Sequence, residues 1–348
     1  MADSLPFGSA AWTSGEEYGG EYAERINLFI NKINKKALLS YASLLRGNQP
    51  CIVSNLVRKI RFDDDVEWIG SWIATPTARE RMLLDMQSEL ATMEFPFHNQ
   101  NTEIPIPRVY AYDLNDQNTV GCPFSIIEYV DGNTAEEVSR TYPGEHEGIP
   151  AQFEEKFWRQ VAKIMLVETG SGPYNSAAEF YADYPLALTL VGDGSAEGFG
   201  LANYDLNPNN FLVDREFNVL AVIDWDSVVS GPDAALYRFP FLMGVSCAVP
   251  GVVDTHPAVM KREQLGRRFA KVVEEVGQDK AGNDCEGANK WPTHLLAKSG
   301  FFSKEAVAFR SLIYVKMRQD CVNNTWLQGL KWLSEHNEVQ VAQFYHRG

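Results

Sequence analysis

Apolar positions along the chain change their spacing near residue 130, from strand-like runs to helical periods. Residues 1–20 are polar and acidic and read as a flexible lead. From Glu21 to Leu45 the residues Ile26, Phe29, Ile30, Ile33, Leu38 and Leu39 recur at helical spacing. Gly47-Asn48-Gln49-Pro50 breaks that pattern. Asn55–Phe62 and Val66–Ala74 then read as two strands about the turn Asp63-Asp64-Asp65. Thr75 or Thr77 caps a helix that runs through Met93. Ile104–Pro107 is held extended by its prolines, and Val109–Tyr112 and Phe124–Val130 read as further strands. Past Val130 helices dominate, at 133–140, 152–168 and 176–182. A hairpin at 211–223 interrupts them, and a mostly helical tail from 233 has loops near 250–256 and 276–292. The pattern predicts an α+β chain whose strand-rich part, 21–130, passes through a hinge at Glu128–Gly132 into a helical part, 131–348.

Composition narrows the field. With 348 residues, 45% of them hydrophobic and 12% aromatic, the chain carries enough apolar material for two cores. Its formal net charge of −15 repels phosphate backbones and argues against a nucleic-acid partner. The longest weakly polar run, Phe239 to Val253, contains Pro240 and Pro250 and is shorter than the roughly 20 residues a membrane-spanning helix needs. The five cysteines are widely spaced with no CxxC pair, which fits a reducing compartment, and the N-terminal stretch does not read as a targeting peptide. The expectation is a cytoplasmic protein without a membrane partner.

The candidate chemistry lies in Asn203–Asp214 and Val222–Asp226. Phe211–Val213 and Val219–Ile223 are apolar runs flanking Arg215-Glu216-Phe217-Asn218, so a hairpin is expected with Asn210 opposite Asp224 at its open end. Directly opposed antiparallel residues lie about 5 Å apart. An amide oxygen and a carboxylate at that separation suit Mg²⁺, which takes few protein ligands and completes its shell with phosphate and water. Asp205, five residues before Asn210 across a proline-containing loop, can address an incoming nucleophile instead. This D-x4-N spacing followed by Asp is the arrangement kinases use, in which the first Asp accepts the hydroxyl proton while the Asn and second Asp hold metal. Asp226 and Asp233 follow closely and read as turn or cap residues, Asp226 supporting the site.

The segment DLNPNNFLVDREFNVLAVIDWD resembles the catalytic stretch of the aminoglycoside/choline-type phosphotransferase family, particularly its fungal members. NQPCIVSNLVRKIRFDDDVEWIGSWIA resembles that family's N-lobe hairpin. SELATMEF with IPIPRVYAYD resembles the helix bearing the lysine-pairing glutamate and the strand after it, and GCPFSIIEYVDGNT the last N-lobe strand and hinge. The similarity spans residues 45–240. It implies a two-lobed protein-kinase-like fold, with a small antiparallel-sheet N-lobe and a larger helical C-lobe. It also implies ATP or another NTP between the lobes, Mg, and γ-phosphoryl transfer to the hydroxyl of a small-molecule acceptor, cationic or a natural product. Glu89 falls on the helix glutamate, and backbone groups near Glu128 and Val130 are expected to hold adenine.

The chain departs from the family in three places. Asn203 stands where a histidine is usual, a mainly scaffolding position. Ser71 stands where a strand Lys or Arg contacts the phosphates. No glycine lies between Cys51 and Arg58, where a glycine-rich loop would approach phosphate. Pairing of 58–62 with 66–71 about Asp64-Asp65 would bring Arg58 opposite Ser71 as a substitute cation for Glu89, and a one-residue slip would turn it away. Otherwise Arg58, Lys59 and Arg61 read as a solvated strand edge. In the tail, Trp291, Phe301, Phe302, Tyr314, Trp326 and Trp332 align with the acceptor wall or simply pack a core. Glu263, Glu274 and Glu275 either attract a cationic acceptor or line a solvated helix face. Two other readings stay open: a non-phosphoryl biosynthetic enzyme with Asp205 as acid or base, and a metabolite-binding pseudokinase.

Overall fold

The computed structural model describes residues 7–8, 24, 28, 31, 33–54, 59–72, 79–98, 104–115, 117–142, 148–165, 199–203, 205–225, 228–232, 257–283, 301–308, 311 and 324–345. The expected helix at 176–182 and Arg58, Asp226, Asp233, Trp291 and Tyr314 lie outside these residues. The chain is α+β and folds as two units, Met1–Pro143 with Asn210–Ser227, and Gly144–Asn209 with Val228–Gly348.

In the first unit, helix α1 (Lys35–Leu45) does not continue the helical pattern from Glu21 unbroken. It opens afresh at Asn34, whose Oδ1 accepts from the Ala37 N–H at 3.1 Å, satisfying a donor that the first turn leaves unpaired. Strands β1 (Cys51–Ser54), β2 (Lys59–Phe62) and β3 (Glu67–Trp72), helix α2 (Arg79–His98), and strands β4 (Val109–Asp113) and β5 (Phe124–Glu128) follow. The five strands form one antiparallel sheet in the order β1-β2-β3-β5-β4. Ile60, Phe62, Trp68, Phe124 and Ile126 are buried with Leu38 and Ala42 of α1, so one face of the sheet is sealed by that helix. Tyr41 meets Phe124 edge-on at 5.5 Å, and Trp68 stacks on Tyr110 at 4.3 Å. Cys51 and Cys122 are free, and burial raises both thiol pKa values, as it does for any group whose charged form loses water.

The β2–β3 connection sets the register. The Phe62 N–H donates to the Val66 carbonyl at 2.9 Å and the Asp65 N–H to the Phe62 carbonyl at 3.1 Å, with Asp65 in the left-handed region at φ 63°. That is a three-residue loop, Asp63–Asp65, rather than a two-residue turn at Asp64-Asp65. The extra loop residue shifts the pairing by one: Lys59 faces Ile69 and Arg61 faces Glu67. The expected pairing, with Arg58 opposite Ser71, needs Lys59 opposite Gly70 and is corrected by this register.

A second sheet of this unit joins β6 (Asn133–Thr134), β8 (Phe211–Val213) and β9 (Val219–Val222) in the order β6-β8-β9. Helix α3 (Ala135–Arg140) leaves β6 through a capping box between Thr134 and Glu137. Within the lead, Gly8 donates its N–H to Asn133 Oδ1 at 2.6 Å, and Arg215 lies 4.9 Å over the Phe7 ring.

The second unit holds α4 (Ala151–Met165), strand β7 (Phe199–Asn203), strand β10 (Val228–Pro232), α5 (Pro257–Asn283), α6 (Asn324–Glu335) and α7 (Glu338–Tyr345). Phe157, Trp158 and Val161 of α4 and Phe269 and Val273 of α5 are buried, and Trp158 meets Phe269 edge-on at 6.0 Å. Arg159–Glu275 (2.7 Å) and Arg268–Glu154 (2.5 Å) link the same two helices. The loop expected near 276–292 begins later, because α5 continues to Asn283 with Val276 still buried. β7 and β10 pair antiparallel, Asn203 with Val228. Among the described residues no helix is long and apolar enough to cross a membrane.

Candidate functional site

Asn203 ends β7, and its Oδ1 accepts from the Asp205 N–H at 2.8 Å. The Asp205 carbonyl accepts from the Asn207 N–H at 2.8 Å, while Asn207 Nδ2 donates to Asp205 Oδ1 at 2.9 Å. Asn207 Oδ1 in turn accepts from the Asn209 N–H at 2.8 Å. The side chains of Asn203 and Asn207 thus turn the backbone by local hydrogen bonds, as such short polar side chains do in loops. Leu206 is buried and anchors the loop. The half-exposed Asp205 carboxylate is held by an amide donor, an arrangement that fixes its direction.

A 3₁₀ turn, Pro208–Asn210, leads into β8, and Asn210 is buried at 5% exposure. β8 and β9 pair as Phe211 with Val222 and Leu212 with Ala221, and a bulge follows before Val213 meets Val219. The Ile223 N–H donates to the Asn210 carbonyl at 2.9 Å. Asn210 therefore lies across from Ile223, and Asp224 is the next residue rather than the directly opposed one. Asp224 adopts φ 62°, a conformation costly for most L residues and tolerated best by Asn and Asp, and it is exposed. Trp225 is buried beyond it and donates Nε1–H to the Val222 carbonyl at 2.8 Å, closing the chain back on β9. The other end of the hairpin is tied by Asp214. Its Oδ1 accepts from the Glu216 and Asn218 N–H groups, each at 2.9 Å, and its Oδ2 from Asn218 Nδ2 at 2.5 Å.

Among the described residues no group of three or more His, Cys, Asp or Glu side chains gathers as a metal site. Asn210 carries an amide oxygen and Asp224 a carboxylate, both hard donors, and the Ile223–Asn210 backbone hydrogen bond makes Asn210 and Asp224 near neighbours along the hairpin. A hard cation that shares its shell with phosphate and water fits such a donor set.

Of the residues expected to hold nucleotide, Glu89 lies half-buried on α2 beside the stripe Met86, Leu90 and Met93. Ser71 pairs with Ser125 of β5. The Glu128 N–H donates to the Arg108 carbonyl at 2.8 Å, and Glu128 Oε2 accepts from the Arg108 N–H at 3.1 Å. Val130 follows, half-buried. Of the residues read as a solvated strand edge, Arg61 is exposed but Lys59 is not. Lys59 keeps only 5% of its surface, its Nζ sits 2.7 Å from Glu67 Oε2, and it lies 4.0 Å over the Tyr129 ring. Arg61 Nε reaches the other Glu67 oxygen at 2.8 Å. Burial pushes the Glu67 pKa up, but hydrogen bonds from Lys59 and Arg61 outweigh it and hold the pKa below its ordinary value. Sequence reasoning missed this pair. Its only signal was that a face shared by Glu67 and Arg61 also takes Lys59, which requires the register.

In the tail, Phe301 and Phe302 are buried, with Phe301 6.0 Å from Phe269, so they pack the second unit's core. Trp332 stacks on His336 at 3.9 Å. Glu275 is engaged by Arg159, whereas Glu274 is exposed.

No protein-family model and no curated protein matches the chain. Solved structures do. A thermostable mutant of the aminoglycoside phosphotransferase APH(4)-Ia, apo form, matches at 13% identity with a TM-score of 0.40, over 89% of this chain and 100% of that one. The macrolide 2'-phosphotransferase MphH from Brachybacterium faecium matches at 14% identity and TM-score 0.38, over 87% and 99%. The streptomycin–ATP–APH(2")-IIa ternary complex matches at 14% and 0.36, over 76% and 84%. At TM-scores of 0.40 and below, the chemistry of this chain has to be argued from its own residues.

Proposed function

We propose that the chain is a protein-kinase-like small-molecule O-phosphotransferase of the aminoglycoside/choline type, using ATP or another NTP with Mg²⁺ in the cytoplasm. The observation that carries the reading is the Asn203–Asp205–Asn207 relay, which aims one carboxylate within a loop that reaches Asn210 five residues on. In this reading Asp205 orients the acceptor hydroxyl and takes its proton, and the amide of Asn207 keeps that carboxylate in place. Asn210 and Asp224 hold Mg²⁺, which neutralises charge on the phosphate oxygens. The Ile223–Asn210 hydrogen bond and the left-handed Asp224 support that pairing. Glu89, the Ser71 position and the hinge about Glu128 and Val130 belong to the nucleotide half, and the acceptor is a small molecule, cationic or a natural product.

The test is nucleotide-dependent turnover against a panel of hydroxylated amines and macrocycles. Asp205→Asn and Asp224→Asn are each expected to lose at least about 100-fold in kcat while the fold is retained. Activity equal to the unsubstituted protein in both would remove the assignment.

A second reading is favoured by one observation, the absence of a cation at Ser71: the cleft binds a metabolite without phosphoryl transfer. Nucleotide-induced thermal stabilisation separates the two, since a ligand at 100 times its Kd adds about 2.7 kcal/mol. No shift at millimolar nucleotide, with or without Mg²⁺, favours the second.

A further inference from the structure

Two residues of the lead, Phe7 and Gly8, sit against distant parts of the first unit. The Gly8 N–H donates to Asn133 Oδ1, 125 residues on, at 2.6 Å, and both residues are buried. A buried amide oxygen that loses its donor costs free energy, so this bond is not neutral to the fold. Gly8 adopts φ 58°, the left-handed region open to glycine, and a Cβ there would fall on the Asp131 carboxylate. The half-buried Phe7 ring lies 4.9 Å from the Arg215 guanidinium above it, within cation–π range. The receiving groups are themselves fixed. The Tyr142 hydroxyl donates to the Arg215 carbonyl at 2.9 Å, and the Tyr129 hydroxyl donates to Asp131 Oδ1 at 2.7 Å.

What these two residues touch gives the contact a use. Tyr129 and Asp131 line a cavity of about 360 Å³ together with Lys59, Arg61, Asp65 and Glu67. Asn133 opens β6, and Arg215 lies in the β8–β9 turn, at the far end of the hairpin from Asn210 and Asp224. The lead therefore joins one wall of the cavity to that hairpin. A side chain at position 8 would displace the Asp131 carboxylate from the Tyr129 hydroxyl, so the glycine and the cavity wall are coupled. Gly8 has no side chain to bury, and its fixed place serves position more than stability.

We propose that Phe7-Gly8 is a latch: the lead docks on its own chain and holds residues 129–134 against the β8–β9 turn. Phe7 and Gly8 are then positioning residues for the cavity wall that Tyr129 and Asp131 form. Release of the lead loosens that wall while the five-stranded sheet stays folded. The inference goes beyond the phosphotransferase reading and stands whether or not that reading holds.

The experiment is hydrogen–deuterium exchange of the full chain, read by mass spectrometry, for the unsubstituted protein, Gly8→Ala, Phe7→Ala, Phe7→Trp and Arg215→Ala. The amides of Tyr129 and Thr134 report on the wall, because they donate to the Glu67 carbonyl at 3.4 Å and to Glu137 Oε2 at 2.9 Å. Gly8→Ala, Phe7→Ala and Arg215→Ala are each expected to speed exchange over 129–134 by about three- to tenfold, the worth of one hydrogen bond or one cation–ring contact. Phe7→Trp keeps a ring beneath the guanidinium and should stay within about twofold. Exchange in β1 and β2 should stay within about twofold in every variant, since no contact of the lead reaches them in this proposal. Unchanged exchange over 129–134 in Gly8→Ala overturns the latch. So does an equal rise in β1 and β2, which is a general loss of stability. Protection of 129–134 that falls on dilution also overturns it, because a second copy's lead would then fill the place. Should Gly8→Ala not fold, Phe7→Ala decides on the same criteria.

Discussion

Replacing Glu67 with glutamine removes one charge from a three-membered cluster and leaves a buried ammonium facing a neutral amide. Lys59 and Glu67 keep 6% and 16% of their side-chain surface, whereas Arg61 keeps 52%. Breaking a buried pair from one side costs about 3–5 kcal/mol, because the surviving charge has lost its water, and here the Tyr129 ring under Lys59 offsets part of that. The glutamine oxygen can still accept one hydrogen bond, which brings the expectation for Glu67→Gln to about 2–4 kcal/mol. Lys59→Met removes the other partner but leaves Glu67 with Arg61, and a methionine fills the same space. Its cost should be about 1 kcal/mol or less. Arg61→Ala, at an exposed site, should cost under about 1 kcal/mol. The order Glu67 above Lys59, with Arg61 no more costly than Lys59, is the prediction. It is read from urea unfolding followed by fluorescence and by circular dichroism, with the m-value unchanged. A pH series adds a second reading. The folded Glu67 carboxyl titrates below its ordinary 4.5, so its contribution is complete above that pH and is lost as pH falls through the lower folded value. Glu67→Gln should flatten that part of the stability curve. A Lys59→Met variant less stable than Glu67→Gln, or an unaltered acid slope, would show that the Glu67 charge does not hold the cluster together.

Two further outcomes follow from local geometry. Asp214→Ala deletes the acceptor for two backbone N–H groups and one side-chain amide in the β8–β9 turn, and should cost about 2 kcal/mol in urea unfolding; a loss below about 0.5 kcal/mol would show the turn holds itself. Asp64 is gripped by both terminal nitrogens of Arg46 at 2.9 Å, and that hydrogen bonding lowers its pKa from 3.8 to about 2. Its stabilising effect is therefore full above 3.8 and lost as pH falls through about 2, so Asp64→Asn should remove stability above pH 4 yet none near pH 1.5. Equal destabilisation at both pH values would place the effect elsewhere.

Several elements were legible because their signals are local. The turn at Asp63–Asp65, the helix expected through Met93, which the structure carries on to His98, the strands at Val109 and Phe124, and the hairpin at Phe211–Val222 all announce themselves by short-range alternation, helical spacing or turn residues. β1 escaped notice, and its place is set by pairing with β2. β7 and β10 escaped because their partners lie about 25 residues apart, beyond the reach of any local pattern. At the candidate site, the residue types at 203, 205, 210 and 224 were readable, but the hydrogen-bond relay from Asn203 to Asn209 was not.

What the chain alone determined is therefore the set of residue types, their spacing and the turns that join neighbouring strands. Register came from contacts between distant segments. A third loop residue, with Asp65 left-handed, sets Lys59 against Ile69, and a bulge beside Leu212 sets Ile223, the neighbour of Asp224, rather than Val222 against Asn210. Side chains alternate between faces along a strand, so one residue of shift exchanges a buried position for an exposed one. That shift placed Lys59 in the cavity with Tyr129 and Asp131, and which loop forms is decided by the packing of both strands against α1 as well as by the loop residues themselves.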